Sequence, residues 1–126
     1  MQEKHLFEYA VIRVVPRVER EEFLNVGVIL YCKDKKFLQS KCYLDEERLT
    51  TFSKDIDVDG IREGLRAFGQ ISAGKEGGPI GKLDNASRFR WLTATRSTMV
   101  QTSKVHPGFT SDPEKTLERL LGELVL

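Results

Sequence analysis

The run Phe23–Cys32, FLNVGVILYC, constrains this chain more than any other stretch. It is apolar at both alternating sets of positions, so as a strand it must be covered on both faces. It therefore reads as the central strand of a sheet. Gly27 inside it marks a bulge or a close backbone approach. The neighbouring run Phe7–Val15 is rich in β-branched and aromatic residues and stops at Pro16. Ala10, Ile12 and Val14 form a wholly apolar face, which is expected to meet the core. Arg17–Glu22 is a charged connection, Lys33–Lys36 a polar turn, and Phe37–Leu44 a returning third strand. The three strands read as an antiparallel meander.

The register of this meander bears on the two cysteines. A turn at Asp34-Lys35 pairs Cys32 with Phe37 and Cys42 with Gly27. The sulfurs are then on the order of 16 Å apart at ~3.3 Å per residue, too far for a disulfide. Their spacing matches no zinc motif. Two free, mostly buried thiols are expected, with neither metal nor cofactor. A chain of 126 residues is most simply one domain. At this size roughly two-thirds of the unfolded surface can be buried, so no cross-link is needed to fold. The start resembles no signal peptide, and no stretch approaches the roughly 18 apolar residues of a spanning helix. The cytoplasm is the expected compartment, without a membrane partner.

Helical patterns follow. Asp45–Phe52 opens on acids that suit a helix N-terminus. Over Val58–Ser72 the residues Val58, Ile61, Leu65, Phe68 and Ile71 form one apolar stripe, with Asp57 or Asp59 as cap. Asp84 is placed to cap a short helix over Asn85–Leu92, although the alternation in Ser87–Leu92 equally fits a strand. Ser97–Thr102 reads as a fourth strand and Val105–Gly108 as a turn. Ser111-Asp112-Pro113 then starts a helix that buries Leu117, Leu120, Leu121 and Leu124. The expected class is α+β: an antiparallel sheet of about four strands with helices packed on one face, in the order β-β-β-α-α-(α)-β-α.

Chemistry concentrates in Ser87–Gly108, SRFRWLTATRSTMVQTSKVHPG, which has no acidic residue. The wider window Lys82–His106 holds five Lys or Arg against the single acid Asp84, and the rest of this chain of net charge +1 is net negative. Arg88, Arg90, Arg96, Lys104 and His106 are candidate anion contacts, Trp91 a stacking surface, and Ser97 a hydroxyl that completes an anion site. Asn25, in the central strand, either bonds backbone at a bulge or points toward this segment. The structural alternative has Phe89, Trp91 and Met99 in the core, with the arginines paired to acids of the 17–22 loop or the last helix. Arg88 and Arg90 share a face on a strand but diverge by roughly 200° on a helix.

Other motifs fail on spacing. The glycine-rich Ala73–Lys82 lacks a phosphate-loop glycine where Glu76 stands, and Leu83 replaces the hydroxyl residue after Gly81-Lys82. Asp55-x-Asp57-x-Asp59-Gly60 opens like a calcium loop, but Arg66 occupies its twelfth position, where a carboxylate is required. No nucleophile elbow accompanies Ser97, Thr98 or Cys42, and nothing places an acid near His106.

YAVIRVVP followed by EEFLNVGVILYC, then RFRWLTATRSTMVQTSKVHPG and the closing DPEKTLERLL, together resemble a bacterial family, domain of unknown function 3037. The resemblance implies a small single-domain cytoplasmic protein with no assigned activity and no catalytic residue to carry over. It also implies a kinase-like neighbour similar to the HipA toxins as a partner. The expectation is therefore a non-enzymatic binding module whose basic segment meets a phosphate-bearing ligand, nucleic acid or an acidic partner. The alternatives are a partner or regulator of a HipA-like kinase, and a small hydrolase or nuclease built on His106.

Overall fold

The computed structural model describes residues 3–75, 78–96 and 98–126. Five strands, β1 (His5–Val14), β2 (Leu24–Cys32), β3 (Phe37–Cys42), β4 (Val100–Thr102) and β5 (His106–Thr110), form one antiparallel sheet. The order is β3-β2-β1-β4, and β5 also pairs with β1. The helices are α1 (Glu46–Phe52), α2 (Val58–Ala73), the single turn α3 (Gly78–Gly81), α4 (Asn85–Leu92) and α5 (Pro113–Leu124). Aspartates cap four of them: Asp45, Asp57, Asp84 and Asp112 each accept from the backbone N–H three residues on.

The meander has the register read from its turn, with Cys32 opposite Phe37 and Gly27 opposite Cys42. Between β1 and β2 the ladder steps from Ile12↔Gly27 to Arg13↔Asn25, so Val26 is the extra residue of a bulge. Gly27 also answers to a close approach. A Cβ there would lie 2.6 Å from the Lys41 carbonyl oxygen and 2.7 Å from Cys42 Sγ.

Both faces of the sheet are covered. Ala10, Ile12, Val14, Ile29 and Tyr31 pack against Leu49 of α1, Ile61 and Phe68 of α2, and Phe89 and Leu92 of α4. Phe7, Val28, Leu30 and Cys32 pack on the opposite face against Leu117 and Leu120 of α5, with Val125 beyond its end. The one-faced helix layer expected from sequence thus describes α1, α2 and α4, whereas α5 covers the other side. The double apolar pattern of β2 requires that second layer. The fifth strand is the other departure. The residues VHPG, expected as a turn, open into β5, because Pro107 is tolerated on an edge strand.

The outer side of β1 is completed by β4 and β5 in tandem. Thr102 pairs with Ile12 and His106 with Tyr9, so three residues of the outer chain face two of β1. At this kink the Ser103 N–H donates to the Val11 carbonyl (2.8 Å), and the Val11 N–H donates to Ser103 Oγ (2.8 Å). A buried hydroxyl thereby stands in for a ladder carbonyl.

Cys32 is buried, whereas Cys42, expected to be mostly buried, is exposed as a residue on the sheet edge. Its sulfur nevertheless lies beside Gly27, and burial of the thiol pushes its pKa up to about 11 from an ordinary 9.0. The folded state therefore keeps this proton after the unfolded chain has released it. The associated stability is fully present below pH 9 and is lost as pH rises toward about 11. Urea midpoints followed from pH 8 to 11 should fall more steeply for the wild type than for Cys42→Ala. Parallel curves would remove Cys42 as the cause.

Candidate functional site

Helix α4 disperses the basic segment. Phe89 and Leu92 turn inward, so Arg88 and Arg90 leave the helix in different directions. Arg88 donates to the Leu83 carbonyl (2.6 Å), to Asn85 Oδ1 (2.7 Å) and to the Ser72 carbonyl (3.4 Å), tying α4 to the end of α2. Arg90 makes two parallel bonds to the Glu8 carboxylate, at 2.8 and 3.0 Å. This fork holds the Arg90 guanidinium charged, with its pKa raised chiefly by the hydrogen bonds to Glu8. The acid that meets Arg90 thus comes from β1, not from the 17–22 loop or α5.

Lys104 is exposed at the kink between β4 and β5. His106 is exposed on β5, its ring 5.3 Å from that of Tyr9, and among the described residues no carboxylate forms an ion pair with it. Asn25 lies at the bulge, where its Nδ2 donates to the Leu124 carbonyl at 3.2 Å and its Oδ1 is buried without a partner. Asn25 therefore ties β2 to α5 rather than pointing toward the basic segment. Ser97 lies outside the described residues. No cluster of three or more metal-binding side chains occurs among the described residues.

Two of the expected residues do meet. The Arg96 guanidinium stacks on the Trp91 ring, 3.8 Å from its centroid, and donates to the Trp91 carbonyl. Burial lowers the Arg96 pKa, and among the described residues no carboxylate pairs with it. The pair stands beside an open groove of about 380 Å³. Its floor comes from Gly60, Gly64, Ala67, Phe68 and Ile71 of α2, and its far wall from Leu92, Met99 and Val100. Thr98 is its other polar side chain, and it is engaged with the Val100 carbonyl at 2.8 Å.

The small residues of the floor have local causes. A Cβ on Gly60 would fall 2.4 Å from Asp57 Oδ2, the cap of α2, and one on Gly64 would fall 3.0 Å from Val100 Cγ2. The cap and the approach of β4 therefore both require a shallow helix surface, and the groove results. Gly60, Gly64, Ala67 and Met99 were not singled out as site residues by the sequence. The available signal was the 60-64-67 spacing of small residues beside the apolar stripe of α2.

The geometry defines a class: a small α+β protein with helices on both faces of an antiparallel sheet and an apolar groove headed by a cation–aromatic pair. No helix among the described residues is long and apolar enough to cross a membrane. Residues 9–125 match the family model described as "Protein of unknown function (DUF3037)", and the chain belongs to that family. Comparison with curated proteins and with solved structures gives no match.

Proposed function

We propose that the chain is a cytoplasmic, non-catalytic binding module. Its groove takes a small amphipathic anion, an apolar chain ending in a carboxylate or similar head group. The supporting observation is Arg96, a partly desolvated guanidinium held on an indole face at an apolar groove, with no carboxylate partner among the described residues. A cation in that setting gains from an anionic partner, and an apolar tail removes the groove surface from water. The groove's size falls in the range of small-molecule sites, roughly 300–1,000 Å³. The dispersal of Arg88 and Arg90 into intramolecular bonds favours a single-headed ligand over a polyanion, which needs several free cations in a row.

Trp91 is the only tryptophan, so its emission reports on the groove directly. Titration with decanoate is expected to change that emission saturably. Decanol should bind about tenfold more weakly, the equivalent of one charge-assisted contact. Arg96→Gln should erase the difference between the two. An equal response to both head groups in the wild type, or no saturable response to either, would overturn the reading. Anisotropy of short labelled DNA and RNA at low salt checks the nucleic-acid alternative. Salt-sensitive binding lost in Arg90→Ala would replace the amphipathic anion with a phosphate backbone.

A further inference from the structure

A second cavity, separate from the groove, lies between α4 and the β1–β2 ladder. Leu6 and Glu8 of β1 and Tyr31 of β2 share the α4 face, and Lys33 follows two residues beyond Tyr31. These four form the floor. Ala86 and Arg90, four residues apart and so on one side of α4, form the wall. The space is about 440 Å³, within the roughly 300–1,000 Å³ of small-molecule sites.

The polar groups of this cavity fall into two sets. One is committed: Glu8 gives both carboxylate oxygens to Arg90, and Asp34 at the rim pairs with His5 at 3.2 Å. The other is free. Tyr31 is only 9% exposed, yet among the described residues its hydroxyl has no hydrogen-bond partner. Burial raises its pKa, so the hydroxyl keeps its proton. Lys33, exposed at the mouth, has no carboxylate partner among the described residues. An ammonium only donates and a phenolic hydroxyl can donate, so a complementary ligand brings acceptors and one negative charge.

Shape argues for a ring. A guanidinium locked to a carboxylate is a flat surface rather than a free charge. The Arg90 side chain stays 57% exposed beside Glu8, and its guanidinium lies 5.4 Å from the centroid of the buried Phe89 ring. Such a plane stacks on aromatic rings. Leu6, 52% exposed, adds an uncovered apolar contact to the same floor.

We propose that this cavity binds a small aromatic monocarboxylate, its ring between Leu6 and the Glu8–Arg90 plane and its carboxylate on the Tyr31 hydroxyl and the Lys33 ammonium. Naphthoate titrated into the isotope-labelled full chain tests the proposal by amide chemical shifts. Saturable shifts are expected at Leu6, Lys33 and Ala86, half-complete at about 1 mM or below for a ligand of this size. The uncharged naphthamide should bind about tenfold more weakly. Tyr31→Phe keeps the ring that packs on Phe89 and removes only the oxygen, so circular dichroism should be unchanged while naphthoate binding weakens about tenfold. Lys33→Gln, at an exposed position, should make acid and amide bind alike.

Absence of saturable shifts around this cavity overturns the proposal, and so does full affinity in Tyr31→Phe or a preference for the acid that survives Lys33→Gln. Shifts confined to Gly64, Ala67 and Val100 and lost in Arg96→Gln would place the ring acid in the groove and overturn it too. The decanoate response of Trp91 should persist in Tyr31→Phe and Lys33→Gln, which separates failure of this cavity from failure of the groove.

Discussion

Phe89→Ala is expected to lower the free energy of unfolding by about 3–5 kcal/mol, a large part of the total for a domain of this size. Phe89 is fully buried, and its ring centroid lies 5.4 Å from that of Tyr31 on β2. It and Leu92 are the buried residues of α4, so this helix meets the sheet through very few side chains. Their loss leaves a cavity that the neighbouring Phe68 and Ile12 cannot fill without leaving their own contacts. Urea denaturation measures the change. A loss below about 1 kcal/mol would mean that the helix can shift to close the cavity. Because α4 also presents Trp91, the same variant should blunt the decanoate response even under conditions where it stays folded.

Gly27→Ala is expected to cost about 1–3 kcal/mol, the range for overpacking a site that cannot expand freely. Its added methyl group meets the Lys41 carbonyl oxygen, which belongs to the β2–β3 ladder, and the Cys42 sulfur. Cys42→Ala removes the sulfur but not the carbonyl. The double variant should therefore recover only part of the loss. Full recovery would assign the whole penalty to the sulfur, and a neutral Gly27→Ala would show that the hairpin yields at the bulge.

The sheet was legible where one residue pattern had one physical outcome. The double apolar pattern of β2 required cover on both faces, and the turn at Asp34-Lys35 set the β2–β3 register residue by residue. Ser111-Asp112-Pro113 located the start of α5 because cap and first-turn chemistry are local. Ser87–Leu92 was not legible. Phe89 and Trp91 alternate like strand residues, while Phe89 and Leu92 also fit a helix, and only packing against Tyr31 decides between them. His106-Pro107-Gly108 has turn composition, and its extended form depends on the open side of β1.

The candidate site was legible in part for the same reason. Trp91 and Arg96 are close in sequence and meet in the structure. The partner of Arg90 is Glu8, 82 residues away, and no local pattern names it. The groove floor on α2 was hidden because glycines read as helix weaknesses until the cap at Asp57 and the approach of Val100 are seen.

The tandem completion of β1 by β4 and β5 has a consequence for biosynthesis. β1 acquires its inner partner within the first third of the chain, as soon as β2 follows it. Its outer side must wait until residues 100–110 have left the ribosome, about 4–16 s later at ordinary elongation rates. During that interval the nascent meander carries an unfinished border, and a holdase or another nascent strand competes with the chain's own last third for it.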